Sequence, residues 1–140
     1  MTPRPEGHAD FRPSTSAASL RRPTRRQSIG YAFHGIGLML RTEPNARLHA
    51  AATVLACVLA LLLGISRLEW CVLVAAIVAV WTAEALNTAL EYLSDVASPD
   101  FHPLIEQAKD VAAGAVLVTA AGAAVLGGLI FGPRLWQWLA

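Results

Sequence analysis

Three long apolar stretches are separated by short polar segments in the part of the chain that follows residue 47. They run from Leu48 to Ile65, from Trp70 to Ala83 and from Val111 to Gly132. A helix needs about 20 mostly apolar residues, with a range of about 17–25, to cross the hydrocarbon core of a bilayer. The first and third stretches reach that length. The pattern therefore predicts an all-α integral membrane protein.

The second apolar stretch is too short to span a membrane alone, but its helical pattern continues into polar residues. These follow at steps of three and four residues: Glu84, Asn87, Glu91 and Asp95. On a helix they lie within an arc of about 80° on one face. Carboxylates at membrane depth are costly without a partner, so this face is expected to contact protein rather than lipid. We therefore predict three transmembrane helices at about 48–65, 70–95 and 111–132.

The residues before the first span divide into two segments. Residues 28–43 carry apolar side chains at three- and four-residue steps, which predicts an amphipathic surface helix capped by Ser28. Pro44 should break this helix after Glu43. Residues 1–27 are rich in Pro, Ser, Thr and Arg, which is typical of a disordered basic tail. We therefore assign the domain to residues 28–140.

The composition excludes an ordinary soluble domain. Of the 140 residues, 55% are hydrophobic and only 15% are charged, and the mean hydropathy is +0.48. The two cysteines, Cys57 and Cys71, lie far apart in apolar stretches and match no metal or redox motif. No Walker A, dinucleotide-binding or protein-kinase motif is present in the sequence.

The charge distribution predicts the orientation in the membrane. Most of the eleven Lys and Arg residues precede residue 48, which places the N-terminus in the cytoplasm. The turn at Ser66-Arg67 and the C-terminus are then outside, where Glu69 is expected to pair with Arg67. The polar segments 43–49, 84–95 and 100–110 all fall on the cytoplasmic side, so we expect the functional site there.

The residue types in those segments favour phosphoryl transfer. Carboxylates suit Mg²⁺, which usually keeps substrate phosphates among its ligands, and Lys109 can neutralise phosphate charge. Glu84, at membrane depth, can accept a proton from the hydroxyl of a lipid. Two other functions fit the same residues: a small carboxylate-based cation transporter and a non-catalytic membrane assembly subunit. Asp95 alone reads as a solvated charge at the helix end.

Three segments carry a resemblance to a known family: GYAFHGIGLMLRTEPNARLH, EALNTALEYLSD and SPDFHPLIEQAKDVAAGAVLV. They resemble the prokaryotic diacylglycerol kinases and undecaprenol kinases. The resemblance implies a surface helix plus three transmembrane helices, assembled as a homotrimer with active sites shared between protomers in the bacterial inner membrane. It also implies transfer of the γ-phosphoryl group of ATP, with Mg²⁺, to the hydroxyl of undecaprenol or diacylglycerol.

The resemblance also implies roles for individual residues. Glu84 is the expected general base, and Asn87 is expected to orient the base or the lipid hydroxyl. Glu43 and Glu91 are expected to bind the magnesium ion of the nucleotide. Further ATP contacts are expected at Tyr31, Asp100, Phe101, His102, Lys109 and Asp110. The entrance for the lipid substrate is expected at Asn45, Arg47 and His49.

Overall fold

The computed structural model describes residues 23–98 and 100–139, and these residues form four helices. The helices are α1 (Arg25–Thr42), α2 (Pro44–Leu62), α3 (Arg67–Ala97) and α4 (Pro103–Leu139). The last three are each long and apolar enough to cross a membrane. The predicted all-α membrane fold, with one N-terminal helix before three spans, is therefore confirmed. Residues 1–22 of the predicted tail lie outside the described residues.

Helix α1 begins before the predicted cap. Thr24 precedes the helix with an extended backbone, and its N–H donates to Gln27 Oε1 at 2.9 Å. This contact satisfies one of the backbone N–H groups that a helix start leaves unpaired. The prediction of Ser28 as the cap and of a tail reaching residue 27 is therefore wrong by one turn, because a polar first turn carries no apolar periodicity.

The break between α1 and α2 lies where the sequence predicts it. Glu43 has extended backbone angles (φ −98°, ψ 118°) and stands between the two helices. Pro44 then occupies the first turn of α2, where its missing N–H costs nothing. Because proline is tolerated there, α2 starts earlier than the apolar stretch that begins at Leu48.

A tight turn separates α2 from α3. Gly64 adopts φ +59°, a left-handed conformation that costs glycine little. Ser66 then caps α3: its N–H donates to Glu69 Oε2 at 2.7 Å, and its Oγ accepts from the Glu69 N–H at 3.4 Å. This reciprocal capping box fixes the start of the long central helix.

The expected Glu69–Arg67 pair is wrong, because the partner of Glu69 is Arg134 on α4. The Arg134 guanidinium donates through both terminal nitrogens to the two carboxylate oxygens, at 2.6 and 2.7 Å. A bidentate ion pair of this kind combines two hydrogen bonds of defined geometry with the attraction between opposite charges. It joins the start of α3 to the end of α4.

Helix α4 begins at Pro103, well before the predicted start of the third span at Val111, so most of the polar segment 100–110 is helical. Proline at the first position of a helix explains why the helix starts there in spite of its polar sequence. At this end of the hairpin, Lys109 Nζ lies 3.0 Å from Asp95 Oδ1 of α3. With contacts at both ends, α3 and α4 form an antiparallel helical hairpin.

Helix α3 is the central element, since it packs against each of the other three helices and most extensively against α4. A core cluster lies near the α2–α3 turn: Ala60, Ile65, Leu73, Ile130 and Phe131. Farther along, Trp81 Nε1 donates to Thr53 Oγ1 of α2 at 3.0 Å. Many large apolar side chains on the outer faces are exposed, as expected for a protein in contact with lipid. The second half of α3 has one buried face, which carries Glu84, Asn87 and Thr88, while side chains such as Leu86 and Leu93 are exposed.

Candidate active site

The first two turns of the polar face of α3 are buried, whereas Glu91 is half-buried and Asp95 is exposed. Glu84 is 1% exposed, Thr88 is 5% exposed and Asn87 is 8% exposed. Glu84 is also the largest fully buried side chain among the described residues. Because α1, α2 and α4 surround this part of α3, the carboxylate is removed from both lipid and water. A buried carboxylate of this kind requires compensating groups nearby.

Asn87 and Glu91 form one unit on the next turns of α3. The Asn87 amide Nδ2 donates to Glu91 Oε1 at 2.9 Å, the geometry that side chains four residues apart on a helix allow. Asn87 Oδ1 is buried and has no hydrogen-bond partner among the described residues. The amide therefore orients the carboxylate expected to bind magnesium, and it keeps one free acceptor.

His49 faces Glu84 from α2. Its Nε2 lies 3.9 Å from Glu84 Oε2, and the two side chains are 14% and 2% exposed. This distance is too long for a hydrogen bond but short enough for an ion pair. Although His49 is predicted to line the lipid entrance, its ring points at the predicted base.

The start of α2 brings a further predicted residue to this site. Glu43, half-buried between α1 and α2, acts electrostatically on Glu84, as does Glu91. Asn45 and Arg47 are exposed on the first turns of α2. The predicted base and both predicted metal ligands therefore lie in one neighbourhood at the junction of α1, α2 and α3.

A second group of predicted residues lines a cavity of about 400 Å³ where α3 connects to α4. It includes Asp100, Phe101, His102, Lys109 and Asp110, together with Asp95. Phe101 is 77% exposed at its rim. The lining of this open cavity combines one lysine and an aromatic ring with four carboxylates, those of Asp95, Asp100, Glu106 and Asp110.

The two groups are separated within one chain. Lys109 contacts Asp95, and Asp95 lies about 16 Å along α3 from Glu84, at 1.5 Å per residue. Tyr31, on α1, is 64% exposed. Buried Glu84 and the open cavity are thus separate parts of the chain.

Comparison with known proteins identifies the family. The model of the family described as prokaryotic diacylglycerol kinase matches residues 30–131. This chain belongs to that family. Undecaprenol kinase of Bacillus subtilis strain 168 is 39% identical over 109 residues, which cover 78% of this chain and 89% of that protein. The protein described here is therefore a membrane lipid kinase.

Two diacylglycerol kinases are also similar to this kinase. The Synechocystis protein is 36% identical over 114 residues, which cover 81% of this chain and 65% of that protein. The Escherichia coli K12 protein is 29% identical over 92 residues, which cover 66% of this chain and 75% of that protein. The match thus includes relatives named for two different lipid acceptors.

Several contacts of the kinase were not predicted from the sequence. Thr88 Oγ1 is buried without a hydrogen-bond partner among the described residues. The Tyr92 hydroxyl lies 2.7 Å from Thr42 Oγ1, which joins the end of α1 to α3. Asp95, interpreted as a solvated charge, is 68% exposed and also pairs with Lys109. The spacing of Thr88, four residues after Glu84, was the available sequence signal that places Thr88 on the same buried face of α3.

The donor set of the kinase fits a magnesium ion that arrives with a nucleotide. Glu43 and Glu91 offer carboxylate oxygens, the ligand type that Mg²⁺ prefers, and Asn87 already orients Glu91. No cluster of three or more His, Cys, Asp or Glu side chains suited to a metal is present in residues 23–98 and 100–139. If Glu43 and Glu91 held Mg²⁺, phosphates and water would supply its remaining ligands, as is usual in phosphoryl-transfer enzymes.

Proposed function

We propose that this lipid kinase transfers the γ-phosphoryl group of ATP, bound with Mg²⁺, to the hydroxyl of a membrane lipid. Undecaprenol is the first candidate acceptor and diacylglycerol the second. The observation that carries the proposal is the burial of Glu84, which is 1% exposed on a helix long and apolar enough to cross a membrane. A carboxylate at that depth is level with the hydroxyl of a membrane lipid, which would reach it by entering between the helices.

Undecaprenol is placed before diacylglycerol because of sequence similarity to the known kinases. The chain is 39% identical to an undecaprenol kinase over most of that protein and 29% identical to the E. coli diacylglycerol kinase over a shorter segment. Both lipids present a primary hydroxyl at the edge of the hydrocarbon core. Family membership also favours a kinase over the cation transporter and the non-catalytic subunit that the sequence alone left open.

Glu84 is the proposed general base. Its carboxylate takes the proton of the lipid hydroxyl, and the hydroxyl oxygen forms a bond to the γ-phosphorus. The bond from the γ-phosphorus to the oxygen bridging the β- and γ-phosphates breaks, and ADP leaves. The proton remains on Glu84 until it is released to water. Most of the acceleration in such a reaction comes from positioning and charge stabilisation.

The remaining predicted residues take supporting roles. Glu43 and Glu91 would hold Mg²⁺, which when bound neutralises charge on the phosphates. Asn87 keeps Glu91 oriented for that purpose. The proposed nucleotide contacts are the residues of the open cavity and Tyr31: Asp100, Phe101, His102, Lys109 and Asp110. Asn45 and Arg47, exposed at the start of α2, would contact the lipid headgroup region.

We also propose a homotrimer in the bacterial inner membrane, with the site on the cytoplasmic side. The basic residues before residue 48 support this orientation. The separation of about 16 Å along α3 between Glu84 and the level of Lys109 supports a site completed by a neighbouring protomer. In a cyclic assembly the same contact repeats around the ring, so each interface would form one complete site.

The function is tested by phosphorylation of each lipid separately, with radiolabelled ATP and the purified protein in mixed micelles. We expect Glu84→Gln to lower turnover by roughly 100- to 10,000-fold, because the amide cannot accept the proton. Nucleotide binding should not change. Thr53→Val is the matched control, since it removes the hydrogen bond to Trp81 without altering a carboxylate. An assembled protein that phosphorylates neither lipid would contradict the function, and an active Glu84→Gln would contradict the base.

A further inference from the structure

His49 is placed to compensate the charge of Glu84. Its Nε2 lies 3.9 Å from Glu84 Oε2, and that oxygen has no hydrogen-bond partner among the described residues. Both side chains are largely removed from solvent, at 14% and 2% exposed. An imidazole opposite an otherwise unsatisfied carboxylate oxygen is the arrangement of a counter-ion.

The other groups that act on Glu84 carry the opposite sign. Among the described residues, the charges that act on it come from His49, Glu43 and Glu91. Two of these are carboxylates, so His49 is the member of the set that can be positive. An ion pair in poorly hydrated surroundings is held more strongly than one in water, and an unpaired buried carboxylate is costly.

The surroundings of His49 favour a fixed ring. The same side chain contributes to the wall of an apolar cavity of about 320 Å³ between α2, α3 and α4. The lining next to it includes Ala52, Ala76 and Val80. Apolar neighbours offer the ring few alternative polar partners, so its polar edge is directed to Glu84.

We propose that His49 is the positively charged partner of Glu84 and keeps it in the ionised form that can accept a proton. His49 is thus a positioning residue, which acts through Glu84 rather than on the lipid or the nucleotide. This inference rests on the proposed role of Glu84 as the base. It also assigns His49 a different role from the lipid entrance predicted from the sequence.

The test measures the charge state of Glu84 without lipid or nucleotide. Dicyclohexylcarbodiimide modifies a membrane carboxyl group only as the neutral acid, whose O–H adds across a C=N bond of the reagent. At pH 7 we expect the labelling rate of Glu84, followed by peptide mass spectrometry, to rise about tenfold in His49→Gln, the size of one pH unit in proton affinity. His49→Lys, which restores a positive charge, should label at nearly the wild-type rate.

Thr53→Val is the control for packing. Thr53 lies one turn beyond His49 and bonds Trp81 at the same α2–α3 interface, so this variant disturbs the interface without removing a charge. Its Glu84 should label as in the wild type. Equal labelling of wild type and His49→Gln would overturn the proposal, and so would His49→Lys labelling as strongly as His49→Gln.

A second measurement uses a variant of nearly unchanged shape. The imidazole ¹⁵N resonances of His49 should differ between the wild type and Glu84→Gln, because ionisation of two paired groups is coupled. A ring in the same state in both proteins would contradict the pairing. This measurement does not depend on activity. If Glu84→Gln were inactive but the His49 resonances were the same as in the wild type, this inference would be wrong and the proposed function would stand.

Discussion

The proposed sharing of active sites makes a quantitative prediction for mixtures of two variants that are expected to be inactive. Lys109→Gln removes a cation of the open cavity, and Glu84→Gln removes the proposed base. Within one chain the two groups are separated by about 16 Å along α3. If the cavity of one protomer serves the base of its neighbour, each variant supplies the part that the other lacks.

The expected recovery follows from the assembly. In a trimer formed at random from equal amounts of the two variants, a site is intact when one protomer supplies Lys109 and its neighbour supplies Glu84. This combination occurs at about a quarter of the interfaces, so activity should recover to about a quarter of wild type. If each site lies within one protomer, every site carries a defect and no activity returns.

Dilution of wild-type protein gives an independent measure. Wild type is mixed with an equal amount of the double variant, Glu84→Gln with Lys109→Gln. Shared sites then need two wild-type neighbours, and activity falls to about a quarter, whereas unshared sites retain about a half. The difference does not depend on how inactive each single variant is.

The assay is lipid phosphorylation at constant total protein, after protomers with different tags are denatured and reassembled together. Chemical cross-linking verifies that mixed assemblies form. Glu84→Gln mixed with the double variant is the background control, since no pairing of these chains restores a site. The shared site would be refuted by two results together. The mixture of single variants would show only background activity, and the dilution series would retain about half of the wild-type activity.

Two further predictions concern the ends of the α3–α4 hairpin. Arg134→Gln should lower the unfolding temperature in detergent, and Glu69→Ala should lower it further because the carboxylate also caps α3; equal decreases would contradict the capping role. Asp95→Asn should raise the KM for ATP by no more than about fivefold, since an exposed ion pair contributes under about 1 kcal/mol. Lys109→Gln should have the larger effect, and the reverse order in steady-state kinetics would contradict the proposed nucleotide contact.

The length of the apolar stretches predicted the fold, but the helix ends were predicted less well. An apolar stretch long enough to cross a bilayer predicts a transmembrane helix with few alternative structures. Pro44 marked the break after Glu43. The start of α1 at Arg25 and the start of α4 at Pro103 were missed. Both starts depend on local caps and polar first turns, which a search for apolar periodicity does not detect.

The candidate site was predicted only where its residues share one helix. The spacing of Glu84, Asn87 and Glu91 required a common face, and that face is buried around Glu84 and Asn87. The partners on other helices carried no comparable signal. The contacts His49–Glu84 and Asp95–Lys109 depend on how neighbouring helices are aligned along their axes. That alignment is a property of the packed structure.

The two ion pairs at opposite ends of the α3–α4 hairpin have a mechanical consequence. A slide of one helix past the other by a single turn, about 5.4 Å, would break both pairs together. The two pairs therefore add to the helix packing that opposes such a slide. By comparison, the Tyr92–Thr42 hydrogen bond joins the end of α1 to α3, and α1 packs on α3 less extensively than α4 does. Any hinge that admits a lipid molecule sideways from the bilayer is accordingly expected in α1 and α2, while α3 and α4 keep Glu84 and Glu91 in place.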